Sequence, residues 1–534
     1  MRILKKILAL FITTTLVGCT TTNDPALQET STEFKKNEVI IANMAETDNG
    51  WDPIHGWGQH EPPLIQSKLV TVSSSGKLVG DLATNFEANE DNSIWRFKLR
   101  DDVKFSDGEA FTSEDVEFTM NAIKEISTDV DLSMVEKIEV VNEYEIVFYL
   151  TYPSSTFIYH VATIPIVPAH AYDENYRYNP IGTGPYKMVQ LDIGQQKILE
   201  LNEFYYGEKP TIERLTFVFM NPSTALAAVQ AGKVDIAIAD ITTATTPVEG
   251  YDMMQFKTIE NIGISMPFVP EQDELNQQGY KVGNDVTSDI AIRKALSIAV
   301  DRDDFASNVL SGFGIPSFSL CNGMEWDNPD VVFEDGKVNE AKRLLETAGW
   351  IDKDGDGTRE KDGLRASFNV IYPAEITVRQ LTAVAFSEIG KEIGIEIKPT
   401  GMSWDDVFEN WYSNANVLLV GDPTPNELYV YNTNKNLGES YPNMYYYSND
   451  TVEHYMDMAT LAPTVEEANE YWKKSIWDGQ TGSSMLGDCP VVWLATLDHM
   501  YFVSQDLDVG EHELHSHSSS GMQILNNVVE WKFK

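Results

Sequence analysis

The chain has 534 residues, more than one hydrophobic core can hold, so at least two lobes are expected. It carries 39 basic against 82 acidic residues, a net charge of −43. That balance argues against nucleic acid or an anionic membrane face as partner. It suits a cationic solute, a salty habitat or simply a well-solvated surface.

Arg2, Lys5 and Lys6 precede a short apolar run from Ile7 to Ile12 with Leu16-Val17. The run is too short to span a bilayer and has the layout of a secretory signal. It ends in Leu16-Val17-Gly18-Cys19, which looks like a bacterial lipobox, where the cysteine thiol is lipidated before cleavage. The alternative is an ordinary signal peptide with a chance cysteine. Residues 20–37 are polar and without period, the composition of a flexible tether. The mature protein is therefore expected outside the cytoplasm, held by acyl chains on the cell membrane or in the periplasm. Cys321 and Cys489 could form one disulfide or be two unrelated buried thiols; sequence leaves this open.

From Glu38 the pattern is mixed α and β, with no repeat of fixed period. In Ile94–Leu99, Trp95, Phe97 and Leu99 alternate with Arg96 and Lys98, which predicts a half-buried strand. Thr112-Ser-Glu-Asp115 is a capping box opening a helix through Val116, Met120 and Ile123. Residues 137–141 and 145–150 form a hairpin about Asn142-Glu143. Residues 179–187 read N-P-I-G-T-G-P-Y-K. A dinucleotide fingerprint needs glycine where Lys187 stands, and a phosphate loop needs four residues between its glycines, not Thr183 alone. The stretch is a poor match to a nucleotide site. Leu215–Met220, a helix capped by Asn221 with Pro222 first, and Val234–Ile238 make a β-α-β unit ended by Gly232. Helices follow through Ile292, Ala295, Leu296 and Ala299, and through Ala341, Leu344, Leu345 and Ala348 with Gly349 as the stop. Then come a strand over 364–372, a helix over about 377–393 and a strand over 395–399, a second α/β lobe.

Five of these segments, in order, resemble extracellular solute-binding proteins of the peptide and nickel family that feed ABC importers. They are L-A-T-N-F-E-A-N-E-D-N-S-I-W-R-F-K-L-R-D-D-V-K-F-S-D-G-E-A-F-T-S-E-D-V (82–116), N-P-I-G-T-G-P-Y-K-M (179–188), A-L-A-A-V-Q-A-G-K-V-D-I-A (225–237), I-R-K-A-L-S-I-A-V-D-R (292–302) and A-K-R-L-L-E-T-A-G-W (341–350). The resemblance implies an α/β, two-lobed periplasmic-binding-protein fold of type II, with an extra small β-rich subdomain inserted in lobe one. Lobe one would comprise 38–64, 182–267 and 486–534, the insert 65–181 and lobe two 268–485. Gly182-Thr-Gly would then lie where the chain returns from the insert, its glycines permitting a sharp turn.

The resemblance also places the loop after the first strand at the cleft, with His55, Trp57 and His60, and returns Glu511–Ser518 to the same lobe. Neutral imidazole suits Ni(II), Cu(II) or Zn(II), and His515 and His517, two apart on a strand, would point the same way. His55, His60, His515 and His517 are thus candidate ligands of a metal or metal chelate; a polar loop and tail explain them equally without metal. In the family's peptide binders an aspartate of lobe two, in a Gly-Trp-x-x-Asp-type segment, holds the ligand's ammonium. The nearest match is Asp422, although the tryptophan is missing and the spacing short; a turn aspartate before Pro423 is the alternative. Trp404 is a candidate cleft wall by the same alignment. Asp352, Asp354 and Asp356 have calcium-loop spacing, but Gly363 stands where the bidentate glutamate belongs, so a surface turn is expected, with weak calcium binding the alternative.

No G-x-S-x-G elbow or HExxH occurs, and an enzyme is not expected. The expectation is a monomeric substrate-binding lipoprotein that needs no cofactor. It would close two lobes on a small peptide or related cationic solute and deliver it to a permease pair with ATPase subunits. The alternatives are nickel or metal-chelate uptake, and a sensor presenting its solute to a membrane receptor.

Overall fold

The computed structural model describes residues 37–43, 51–55, 62–72, 77–126, 130, 132–435, 437, 443–517 and 521–534. Cys19, the expected tether through residue 36, Trp57 and His60 lie outside these. No helix among the described residues is long and apolar enough to cross a membrane.

Two long strands organise the molecule. Tyr251–Ser265 and Val491–Ser504 pair antiparallel from Tyr251↔Ser504 to Ser265↔Val491, with a register shift between Lys257 and Asn261. Val491–Ser504 is apolar along nearly its whole length because both its faces are covered. These strands are the centre of an eleven-stranded sheet. On one side follow Ala415–Val420, Ser367–Pro373 and Glu396–Met402; on the other Ile236–Ile238, Glu38–Asn43, Arg214–Phe219, Gln196–Leu201 and Tyr186–Asp192. Gly314–Pro316 joins the side of Val491–Ser504.

The predicted β-α-β unit is present: Arg214–Phe219 and Ile236–Ile238 both run parallel to Glu38–Asn43 between them. Its helix, Pro222–Gln230, starts where Asn221 Oδ1 accepts the Thr224 N–H at 2.9 Å, and Gly232 takes φ +62° just past its end. Helices Ile290–Ala299, Val338–Thr347 and Thr377–Glu392 lie where the apolar spacing put them. The strand expected over 364–372 is two elements. Leu364–Arg365 pairs back on Glu360–Lys361, and Ser367–Pro373 enters the large sheet.

A second sheet runs in the order Ala83–Ala88, Ile94–Leu99, Glu145–Leu150, Val135–Asn142, all antiparallel. Trp95, Phe97 and Leu99 face a core of their own, closed by Val116, Met120 and Ile123 of helix Ser113–Ile126. The capping box is reciprocal: Thr112 Oγ1 accepts the Glu114 N–H at 3.3 Å and Asp115 Oδ2 accepts the Thr112 N–H at 2.9 Å.

The Gly182-Thr-Gly stretch corrects one expectation. Neither glycine has a positive φ. They are needed for proximity instead: Gly184 N–H donates to Ile65 O at 2.7 Å and Tyr186 N–H to Leu64 O at 2.9 Å. A Cβ at Gly182 would sit 2.0 Å from Ile65 O, and one at Gly184 2.6 Å from Leu64 O. Both obstacles are backbone, so Gly182→Ala should cost about 1–3 kcal/mol, checked as a fall in Tm. Cys321 and Cys489 are both free and buried, not bonded to each other.

Candidate functional site

Ser367–Pro373 and Glu396–Met402 run parallel, and a helix starts soon after each, at Thr377 and Trp404. A cavity of about 620 Å³ opens at these carboxyl ends, the edge where α/β sheets usually bind ligands. Trp404, Phe408, Trp411, Leu418 and Met444 give it an apolar wall. Trp404 is placed by Ser403, whose Oγ accepts the Asp406 N–H at 3.2 Å, and its ring stacks on Phe408 at 5.4 Å. Across the opening, Thr377 Oγ1 donates to Asp240 Oδ2 at 3.3 Å.

One part of the cavity wall sets Arg379 among the acidic residues Asp240, Glu375 and Asp405. Arg379, buried on the first turn of its helix, donates from Nη1 to Val417 O at 2.5 Å, and its guanidinium lies 5.2 Å from the Trp404 ring centre. Beside it Asn416 is buried in the cavity wall, and its Oδ1 accepts a hydrogen bond from no described residue.

The other end is acidic and rich in imidazole. The register shift at 257–261 turns Glu260 into the cavity wall with His499 and His517. His499 Nε2 lies 3.3 Å from Glu260 Oε2, and His517 Nδ1 bonds Glu260 Oε1. The chain continues inward: His499 Nδ1 to His515 Nδ1 at 3.2 Å, His515 Nε2 to His512 Nδ1 at 3.2 Å, and His512 Nε2 to Val509 O at 3.1 Å. Backbone bonds fix the C-terminal segment against the bulge, from Ile259 N–H to His515 O and from His515 N–H to Lys257 O, each 2.9 Å. His517 N–H also reaches Gly421 O at 2.8 Å.

Burial alone would raise the Glu260 carboxyl, but the hydrogen bonds and charges of His499 and His517 hold it well below the usual carboxylate range. Burial, helped by the neighbouring His499 and His512, pushes His515 down to about 2, so it stays neutral. Behind this end stand two further acids. Burial pushes both Asp422 and Glu427 up, and for Glu427 the Asp422 charge adds to it. Lys68 faces Asp422 and Asp81; burial brings its ammonium down to about 8 against their attraction.

Of the residues singled out from sequence, Trp404 and His517 line the cavity. His515 is 2% exposed and sits one imidazole behind His499, and both its ring nitrogens face other histidines. It does not continue a strand with His517; only an isolated bridge ties it to Thr258. Asp422 lies outside the cavity wall, its Oδ1 accepting the Thr424 N–H at 2.7 Å as a turn aspartate does. His55 is exposed beyond the turn in which Asp52 accepts the Ile54 N–H, and is not part of the wall. Asp352, Asp354 and Asp356 converge with Glu360 to within 4.8 Å. Asp352 spends its oxygens on the N–H groups of Gly355 and Gly357, and Asp356 pairs with Arg365.

Glu260, Arg379, Asn416 and His499 were not singled out from sequence. A polar residue inside an otherwise apolar strand, as in Leu497-Asp-His-Met500, is the signal that marks His499.

The likenesses agree with this geometry. The chain is 26% identical over 493 residues to Protein XP55 of Streptomyces lividans, covering 88% of this chain and 86% of that one. It is 28% identical over 385 residues to the oligopeptide-binding protein AppA of Bacillus subtilis, covering 66% and 68%. NikZ from Campylobacter jejuni, solved with Ni(L-His), superposes with a TM-score of 0.80 at 24% identity, covering 93% of this chain and 99% of that one. The fold is accordingly the two-lobed type II periplasmic-binding-protein fold with its small β-rich insert. Residues 77–440 match the family described as bacterial extracellular solute-binding proteins, family 5 Middle, and with most of the chain so accounted for, this protein belongs to that family.

Proposed function

We propose that this protein captures a small peptide or related cationic solute between two closing lobes and hands it to an ABC permease pair driven by ATPase subunits. The observation that carries this is the cavity itself: an apolar wall of Trp404, Phe408, Trp411, Leu418 and Met444, with Asp240, Glu260, Glu375, Asp405 and Asp498 outweighing Arg379 among the charged residues around it. Such a lining suits a cationic solute with an apolar body, a small peptide included. Lobe one is taken as 38–64, 182–267 and 486–534, lobe two as 268–485, and 65–181 as the insert. Cys19 supplies the lipid anchor that keeps the monomer beside its permease. Trp404 forms a wall, and Asp422 adds negative field behind His517. Binding occurs without turnover.

Purified protein titrated with mixed di- to pentapeptides should gain thermal stability, by about 2.7 kcal/mol at a hundredfold excess over Kd. No product should appear by mass spectrometry. A protein that stays unshifted by every peptide sinks the reading.

A second reading is favoured by the histidines around Glu260: uptake of nickel or another metal as a chelate. His55, His60, His515 and His517 are then the residues to substitute. Metal content after purification without tags or chelators, followed by calorimetry with Ni(II) and Ni–histidine, separates the two. Micromolar or tighter binding of Ni–histidine, lost in His517→Ala, supports the chelate.

A further inference from the structure

Besides Lys68 facing Asp422, the insert, taken as 65–181, meets lobe two, taken as 268–485, at a place clear of the cavity wall. Residues 89–93 turn the chain from Ala83–Ala88 into Ile94–Leu99. Within them Asn92 has φ +56°, a left-handed conformation that asparagine tolerates better than most side chains. The turn is fastened within the insert: Asn92 N–H donates to Asn89 O and Asn92 O accepts the Ser154 N–H, each at 3.1 Å. The side chain is left to reach outward, and Asn92 Nδ2 donates to Pro463 O of lobe two at 3.0 Å.

Pro463 leads into helix Val465–Ile476, which Thr464 caps by accepting the Glu467 N–H on Oγ1 at 3.2 Å. Val465, its first residue, packs against the core of the insert, the one that holds Trp95, Phe97 and Phe157. Tyr159, buried on helix Phe157–Thr163 of the insert, is turned to the same neighbours. Burial raises its hydroxyl, and the charges of Glu325 and Glu466 in lobe two add to that.

The contact is small and separable. A hydrogen bond and a half-buried valine fall short of the roughly 600–1,500 Å² of a lasting interface between domains. When they part, the turn keeps its own bonds and the helix keeps its cap. The insert itself travels with lobe one. Gly184 N–H on Ile65 O and Tyr186 N–H on Leu64 O tie together the places where the chain enters and leaves it.

We propose that the insert is a clasp on lobe two: Asn92 and Val465 close it as the lobes shut, and parting them is a step in releasing the solute. No atom of the clasp belongs to the solute, so it favours the shut form with the cavity filled or not.

The test reads lobe separation in the full chain without added solute, by pulsed dipolar spectroscopy of spin labels on Val141→Cys and Val384→Cys. Val141 stands on the insert and Val384 on lobe two, both exposed and neither part of the clasp. Cys321 and Cys489 are buried, and Cys19→Ser removes the remaining thiol. Asn92→Gly takes away the donor and leaves the backbone at ease, since glycine adopts a positive φ freely. Val465→Asp sets a carboxylate against the insert's core, yet suits the first turn of its helix, where acids are favourable. Each should cut the ratio of short-distance to long-distance populations about 3–10-fold, the range of one small contact. Together they should cut it about 10–100-fold, with unchanged far-UV circular dichroism. A ratio that both substitutions leave unchanged overturns the clasp. So does a native protein that shows the long distance alone, an outcome that needs no variant to fold. Either failure leaves peptide capture untouched, because no peptide enters the measurement.

Discussion

Acidifying the protein from pH 6.5 to pH 4.5 should remove about 2.3 kcal/mol of stability through His515, and a His515→Gln variant should not lose it. His515 is buried against a stacked Phe256, between His499 and His512. Burial and those neighbours take its folded pKa from 6.5 to about 2. The unfolded chain therefore binds a proton throughout this window that the folded protein refuses. Stability from this residue begins to fall as the pH drops through the unfolded value of 6.5, and the slope approaches about 1.36 kcal/mol per pH unit below it. Glu260 has the same direction but a different window. Its depressed carboxyl stabilises above the unfolded value of 4.5, and that contribution is lost only below the range tested. Asp422 and Glu427, raised by burial, oppose the trend, since the folded state takes up their protons first. The reading is therefore the difference between two profiles. Urea unfolding at pH 6.5, 5.5 and 4.5 should give a wild-type midpoint that falls more steeply than that of His515→Gln, which keeps polar groups for both neighbours. Parallel lines would mean His515 carries its proton in the fold.

The sequence showed those parts of the fold whose faces differ. Ile94–Leu99 alternates because one face of its sheet is open, and the helix through Ala341 shows its spacing because one side meets solvent. The two strands that organise the molecule escaped notice for the opposite reason. Val491–Ser504 is covered on both faces, so it has no period to read, and the bulge in Tyr251–Ser265 breaks what alternation it has. The site suffered accordingly. Glu260 and His499 are 239 positions apart and meet only because these two strands pair. The cluster at 511–517 stood out because histidine is rare in this chain, 9 residues in all, yet its partners were hidden in the sheet. Arg379 looked like any polar residue of an amphipathic helix; its burial follows from where the helix starts, which only tertiary structure supplies. At Gly182 the residue type was informative but its cause was not, since close approach and positive φ both ask for glycine.

The stretch Ile292–Arg302, read from sequence for its family resemblance, has a structural use that leads to the largest expected loss. Arg302 is 1% exposed and surrounded by acceptors. Nε donates to Ser317 O at 3.0 Å and Trp493 O at 2.8 Å, Nη1 to Ser297 O at 3.2 Å and Asp335 Oδ2 at 2.8 Å, and Nη2 to Ser297 Oγ at 3.1 Å. Phe318 and Phe333 lie 4.7 and 5.1 Å from its guanidinium carbon. One side chain thus ties the end of helix Ile290–Ala299 to the long strand carrying Trp493 and to the segment through Ser317. Arg302→Met fills similar space but removes the guanidinium donor from three buried carbonyls and leaves Asp335, 18% exposed, only the backbone N–H of residue 302 at 3.2 Å. Removing one member of a buried pair costs about 3–5 kcal/mol. Arg302→Lys keeps the charge but has three donors on one nitrogen instead of a planar fork, so it should recover only part of the loss. Because Arg302 is not in the cavity wall, the fraction that still folds should bind ligand with native affinity. Urea unfolding of the two variants, with calorimetry at a temperature where each is folded, checks both halves. A Met variant within about 1 kcal/mol of wild type would show that the surrounding carbonyls find other donors.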